Sequence, residues 1–86
     1  MLEEVLSKYV VESYEDFDVI KLRNHIEKEM SGYDVFLFEE DVDSNLEVCR
    51  SLMNWVKGKF IEDTQYSTWS TNDSEITLQV VTIKIK

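Results

Sequence analysis

The stretch that decides the fold is Glu75-Ile76-Thr77-Leu78-Gln79-Val80-Val81-Thr82-Ile83-Lys84-Ile85-Lys86. Ile76, Leu78 and Val80 alternate with polar residues, the period of a strand with one buried face. At Val80-Val81 the phase slips, and Val81, Ile83 and Ile85 carry the pattern on the other parity. A β-bulge accounts for such a slip, and so does a change in what covers each face. Just upstream, Asn72-Asp73-Ser74 is a cluster of turn formers. Before it, residues 64–71 (Thr-Gln-Tyr-Ser-Thr-Trp-Ser-Thr) are rich in β-forming types. The two runs predict a C-terminal hairpin.

Further towards the N-terminus, Ser44-Asn45-Leu46-Glu47 is a capping-box pattern that opens a helix. Leu46, Cys49, Leu52, Met53 and Val56 form its core face, widened by Val48 and Trp55. Gly58 is its expected stop, with Lys57 and Lys59 near the negative end of the dipole. Tyr33-Asp34-Val35-Phe36-Leu37-Phe38 reads as a strand, and a central one because both faces are apolar. Residues 16–31 place Val19, Leu22, Ile26 and Met30 on one helical stripe. Ser13 with Asp16, or Asp16 itself, is the expected cap. Gly32 falls where a left-handed glycine ends a helix. Residues 2–13 set Leu2, Val5, Leu6, Tyr9 and Val10 at helical spacing, although Lys8-Tyr9-Val10-Val11 also reads as strand. The expected order is helix, helix, strand, helix, strand, strand. That is an α+β fold, with a small, mainly antiparallel sheet of about three strands and helices packed on one face.

A chain of 86 residues is one domain, residues 1–86, burying roughly 60–65% of its unfolded surface. Four Phe, four Tyr and two Trp supply much of the core volume. With no proline and two glycines, nothing reads as a linker or an internal repeat. No apolar run approaches the ~18–20 residues of a membrane helix. Glu3 and Glu4 interrupt what a signal peptide would need. One cysteine excludes an intrachain disulfide, so a cytoplasmic location is expected.

The net charge is −9, from 18 acidic and 9 basic side chains. Phosphate binding needs cations, so direct nucleic-acid binding is disfavoured, as is an anionic membrane surface. A basic protein is the partner that fits, against the plainer reading that the charge only aids solubility.

Catalysis requires convergent groups with matched proton affinities. His25 is the one histidine, and no Ser or Cys is placed to complete a triad, so it reads as a helix-surface residue. Cys49 falls on the core face of the predicted third helix and reads as a small hydrophobe. Asp41-Val42-Asp43-Ser44-Asn45 resembles the opening of an EF-hand loop. Leu46 and Leu52 stand where that loop needs Gly and Glu. Neither a tetrahedral zinc set nor a phosphate-binding glycine loop is present. The sequence therefore predicts no enzyme, no metal and no cofactor.

The carboxylates cluster. One group is Glu12, Glu15, Asp16 and Asp18; the other is Glu39, Glu40, Asp41, Asp43 and Glu47. Helix starts explain some of them, because an acid there offsets the positive dipole end. The run from Glu39 to Glu47 is harder to explain that way. Its charges repel one another, and Arg50 is the nearest cation in sequence. A basic partner surface would relieve that repulsion. Carboxylates spaced along a helix or strand present charge at intervals comparable to neighbouring phosphates. Trp69 and Tyr66 lie on opposite faces of one predicted strand, so at least one is expected at the surface as an interface anchor.

In size, charge and lack of catalytic groups the chain resembles the small acidic inhibitors made by bacteriophages, such as anti-CRISPR proteins and uracil-DNA glycosylase inhibitors. It also resembles the immunity proteins that neutralise nuclease toxins. The resemblance implies an inhibitor that blocks a basic nuclease or nucleic-acid-binding protein by nucleic-acid mimicry. A toxin-immunity role is the alternative of the same kind. An assembly role is a third expectation, with Ile76 to Ile85 as an edge strand pairing between copies or within a larger complex. The chain would then be a monomer or a homodimer.

Overall fold

The computed structural model describes residues 1–39 and 60–85, with side chains over 1–37 and 64–85. Helix α1 spans Leu2–Ser7 and helix α2 spans Val19–Glu29, with a 3₁₀ turn at Tyr14–Asp16 between them. Strands β1 (Tyr33–Glu39), β2 (Phe60–Ser70) and β3 (Thr77–Ile85) follow. They form an antiparallel sheet in the order β1-β3-β2. The fold is α+β, with α1 and α2 preceding the sheet. The predicted third helix over 44–58, and with it Cys49 and the Asp41–Asn45 stretch, lies outside the described residues. No helix among the described residues is long and apolar enough to cross a membrane.

The C-terminal strand is the middle of the sheet. Six consecutive residues, Leu78 to Ile83, are buried. On the helix-facing side Leu78 and Val80 join Trp69, Val35, Leu2, Val5, Leu6, Leu22, Ile26 and Met30 in one core. On the opposite parity Val81 and Ile83 are also buried. Burying such a side chain fully stabilises by roughly 1.5–3 kcal/mol. No bulge sits at Val80-Val81. The register against β1 runs unbroken from Tyr33↔Lys84 to Glu39↔Leu78. Against β2 it runs unbroken from Thr64↔Ile83 to Ser70↔Thr77. The apparent slip reflects burial of both faces. The irregularity lies in β2, where Phe60 pairs with Ile85 and Thr64 with Ile83.

Two expectations about strand position are corrected together. Among the described residues, strand β1 is an edge strand and not a central one. Its apolar residues report cover on its two faces, which is separate from how many strands flank it. Strand β3, expected as a possible edge for assembly, has both hydrogen-bonding sides occupied. It has no edge to offer a second chain.

The helices are shorter than their apolar spacing suggests, because tertiary bonds take up the intervening backbone. Helix α1 ends at Ser7, whose hydroxyl donates to the Glu4 carbonyl at 2.7 Å. Two carbonyls beyond it are committed to the hairpin. Trp69 Nε1–H donates to Tyr9 O at 3.0 Å, and Asn72 N–H donates to Val11 O at 3.0 Å. Helix α2 is capped by Asp18, whose Oδ1 accepts from Ile20 N at 2.9 Å and Lys21 N at 3.3 Å. The Ser13 hydroxyl donates to Asp16 across the preceding 3₁₀ turn instead. Phe17 between them is extended, and its ring lies 5.2 Å from that of Trp69. Leu22, Ile26 and Met30 of the predicted stripe are buried, while Val19 stays exposed. Gly32 has φ +88°, the left-handed backbone expected after a helix.

Candidate interaction surface

The β2–β3 turn is organised by one carboxylate. Asp73 Oδ1 accepts from the Thr71 hydroxyl at 2.6 Å and from Glu75 N–H at 3.1 Å. Its Oδ2 accepts from Tyr14 N–H at 3.1 Å, across 59 positions of sequence. The Thr71 hydroxyl bond first, and then the amides of Tyr14 and Glu75, hold the Asp73 carboxyl below the usual range. The Asn72–Val11 bond adds a second tie between the turn and the loop. Ser74 adopts a left-handed backbone, φ 59°. Thr71 N–H to Ile76 O at 3.0 Å closes the hairpin.

These ties bring two acidic stretches together. Glu12, Glu15 and Asp16 are exposed and Asp18 is half-buried on the loop. Asp73 and Glu75 are exposed on the turn. Tyr14 stands among them and is 53% exposed. Among the described residues the sole ion pair is elsewhere, Arg23 to Glu27 at 3.0 Å within α2. The acidic end therefore carries no paired cation among those residues.

The second predicted acidic group is reached only at its first member. Glu39 ends β1 opposite Leu78, one position into β3 from Thr77. Its backbone thus lies at the same end of the sheet as the Asp73 turn. Glu40, Asp41, Asp43 and Glu47 lie outside the described residues.

The two aromatic candidates separate. Tyr66 is 42% exposed, as an anchor would be, whereas Trp69 is 5% exposed. Trp69 is a core residue and not a surface anchor. Its indole N–H is committed to Tyr9 O, and its ring packs against Tyr9 at 5.8 Å and Phe17 at 5.2 Å. Register accounts for the split. Trp69 pairs with Leu78 on the helix-facing side, and Tyr66 pairs with Val81 on the other.

His25 is half-buried and not a surface residue. Its Nε2 lies 2.9 Å from Val5 O, so the tautomer that fits carries the proton on Nε2 and donates it to that carbonyl. Its ring lies 5.4 Å from Tyr9. It joins α2 to α1. Burial, and secondarily the negative charge of Asp18, pushes the Tyr9 hydroxyl pKa up.

Sequence reasoning missed Asp73 as an organiser. It was legible as a turn residue, but its bond to Tyr14 has no local signal. It also missed a cavity of about 440 Å³ between α1 and β2, lined in part by Glu3, Ser7, Tyr9, Thr68, Trp69 and Ser70. No protein-family model, curated protein or solved structure matches the chain.

Proposed function

We propose that this chain is a small acidic inhibitor that covers the basic surface of a nuclease or other nucleic-acid-binding protein. The observation that carries the reading is the convergence of the 12–18 loop and the 73–75 turn at one end of the sheet. Those two segments carry six carboxylates and exposed Tyr14, and none of the six is in an ion pair among the described residues. The array is held by backbone ties from Asp73 and Asn72. A fixed array meets a partner without the entropy of ordering it first. Tyr14 and Tyr66 are the exposed aromatics that would anchor it. Mutual repulsion within the array is relieved when a cationic surface meets it.

Binding to candidate nucleases and DNA-binding proteins, measured across a salt series, tests this. The variant E12Q/E15Q/D16N/E75Q leaves the Asp73 and Asp18 bonding in place. It is expected to bind about ten- to a hundredfold more weakly and with a shallower salt dependence. Salt-insensitive binding, or an affinity the four substitutions leave unchanged, would overturn the proposal.

A further inference from the structure

We propose that the outer edge of β2, at Thr68 and Ser70, takes an extended, cationic segment of the partner protein as an added strand. This deepens the reading above and rests on it, naming how a basic partner would be held.

Strand β2 pairs with β3 on one side and, among the described residues, with no strand on the other, although just past its end the Asn72 N–H is taken by Val11 O, so the open edge stops at Ser70. The hairpin bond from Thr71 N–H to Ile76 O sets the phase of the ladder. In an antiparallel pair, residues alternate between bonding inward and pointing outward. Thr71 bonds inward, so Ser70 and Thr68 direct their backbone N–H and C=O groups away from β3. Exposed edges are usually blunted by charge, proline or a bulge. The run Thr64 to Ser70 contains no charged residue and no proline, and the register irregularity lies upstream of Thr64.

The cavity runs along this edge. Ser67, Thr68, Trp69 and Ser70 all line it, although successive strand residues face opposite ways. A cavity lined by both parities lies beside the strand and not over one face. Helix α1 forms its far wall through Glu3 and Ser7, and Tyr9 contributes to the lining. A strand laid against Thr68 and Ser70 would point alternate side chains into this space, the geometry of β-strand addition.

Charge selects the occupant. Glu3 is the one charged residue lining the cavity, and Asn72, which also lines it, adjoins the Asp73 turn. The edge is thus continuous with the acidic end. A second copy of this chain carries the same net charge of −9. A lysine- or arginine-bearing segment fits where a second copy is repelled.

The test is amide exchange and chemical-shift mapping on the ¹⁵N-labelled chain. The probe is an eight-residue peptide of alternating lysine and valine. Saturating peptide is expected to slow exchange of the Thr68 and Ser70 amides by about tenfold or more and to shift the Trp69 indole signal. N-methylation of alternate peptide residues, tried in both phases, should abolish that protection in the phase that faces β2. A glutamate–valine peptide is expected to bind about tenfold more weakly. The T68P variant removes one outward N–H. If it keeps a native circular-dichroism spectrum it should lose the protection, and the N-methylated peptides decide the matter if it does not fold. Shifts confined to 12–18 and 73–75 would overturn strand addition and leave the inhibitor reading standing. Equal binding of the two peptides at the edge would overturn the cationic occupant. A free chain that sediments as a dimer with Thr68 and Ser70 already protected would assign the edge to a second copy, and no response at all would also end the proposal.

Discussion

Asp18 and Asp73 do similar chemistry in two different settings. Each is an aspartate whose side chain satisfies backbone N–H groups at the start of a turn of chain. Asp18 serves Ile20 and Lys21, two and three positions ahead, and so caps α2 locally. Asp73 serves Glu75 locally but also Tyr14, 59 positions away. The first bond stabilises a helix whether or not the rest of the chain has folded. The second exists only once the hairpin and the 8–18 loop have met. A cap is thus a local device, while Asp73 acts as a tertiary latch that sets the shape of the acidic end.

The largest effect should come from breaking what brings loop and hairpin together. Trp69→Ala removes the ring that packs on Tyr9 and Phe17 and the bond to Tyr9 O. It should cost about 3–5 kcal/mol in chemical denaturation. Trp69→Phe keeps most of the packing and loses the indole bond, so it should cost clearly less. If the two variants were equally destabilised, the hydrogen bond and not the ring would be what holds the loop.

A middle effect tests the local partner of the comparison. Asp18→Ala should cost about 0.5–2 kcal/mol, with faster exchange confined to the first turn of α2. The Tyr14 amide should keep its protection in that variant. If it does not, the two aspartates are coupled and the contrast between cap and latch fails.

The smallest effect is the pH response of the latch. The Asp73 pKa is lowered in the folded chain by its bonds to Thr71, Tyr14 and Glu75. Its contribution to stability is therefore fully present above the unfolded value of about 3.9. It is lost as pH falls through the lower folded value, because the unfolded state binds the proton more readily. As pH falls through that lowered folded value, below the ordinary carboxylate range, the Tyr14 amide should lose protection in the native chain. In Asp73→Asn that pH dependence should be absent. The residue is exposed, so solvent screens the effect.

The contrast between local and tertiary bonds also separates what could be read early from what could not. The α+β class and the hairpin followed from β-rich runs around a turn cluster, since those preferences act within a few residues. Gly32 was legible for the same reason: a left-handed backbone selects glycine wherever it occurs. The cap of α2 falls two positions later than the expected Asp16, because Asp16 and Asp18 are equally good caps by residue type. Packing of Phe17 on Trp69 favoured the later one. Strand alternation put Tyr66 and Trp69 on opposite faces, and Tyr66 is the exposed one while Trp69 is buried.

The sequence by itself determined the fold class, the strand-forming C-terminus, the net charge of −9 and the grouping of acids along the chain. Those properties are carried by residue type and spacing, and they do not depend on what lies beside each residue. Only the tertiary structure decided that β3 is central and that, among the described strands, β1 and β2 flank it, because apolar patterning reports buried faces and is silent about strand order. It alone also placed Asp73 and Glu75 beside the 12–18 acids, through bonds spanning about two-thirds of the chain. Hydrogen-bond partners at that range are chosen by packing, and packing is settled only when the sheet and helices close on one core.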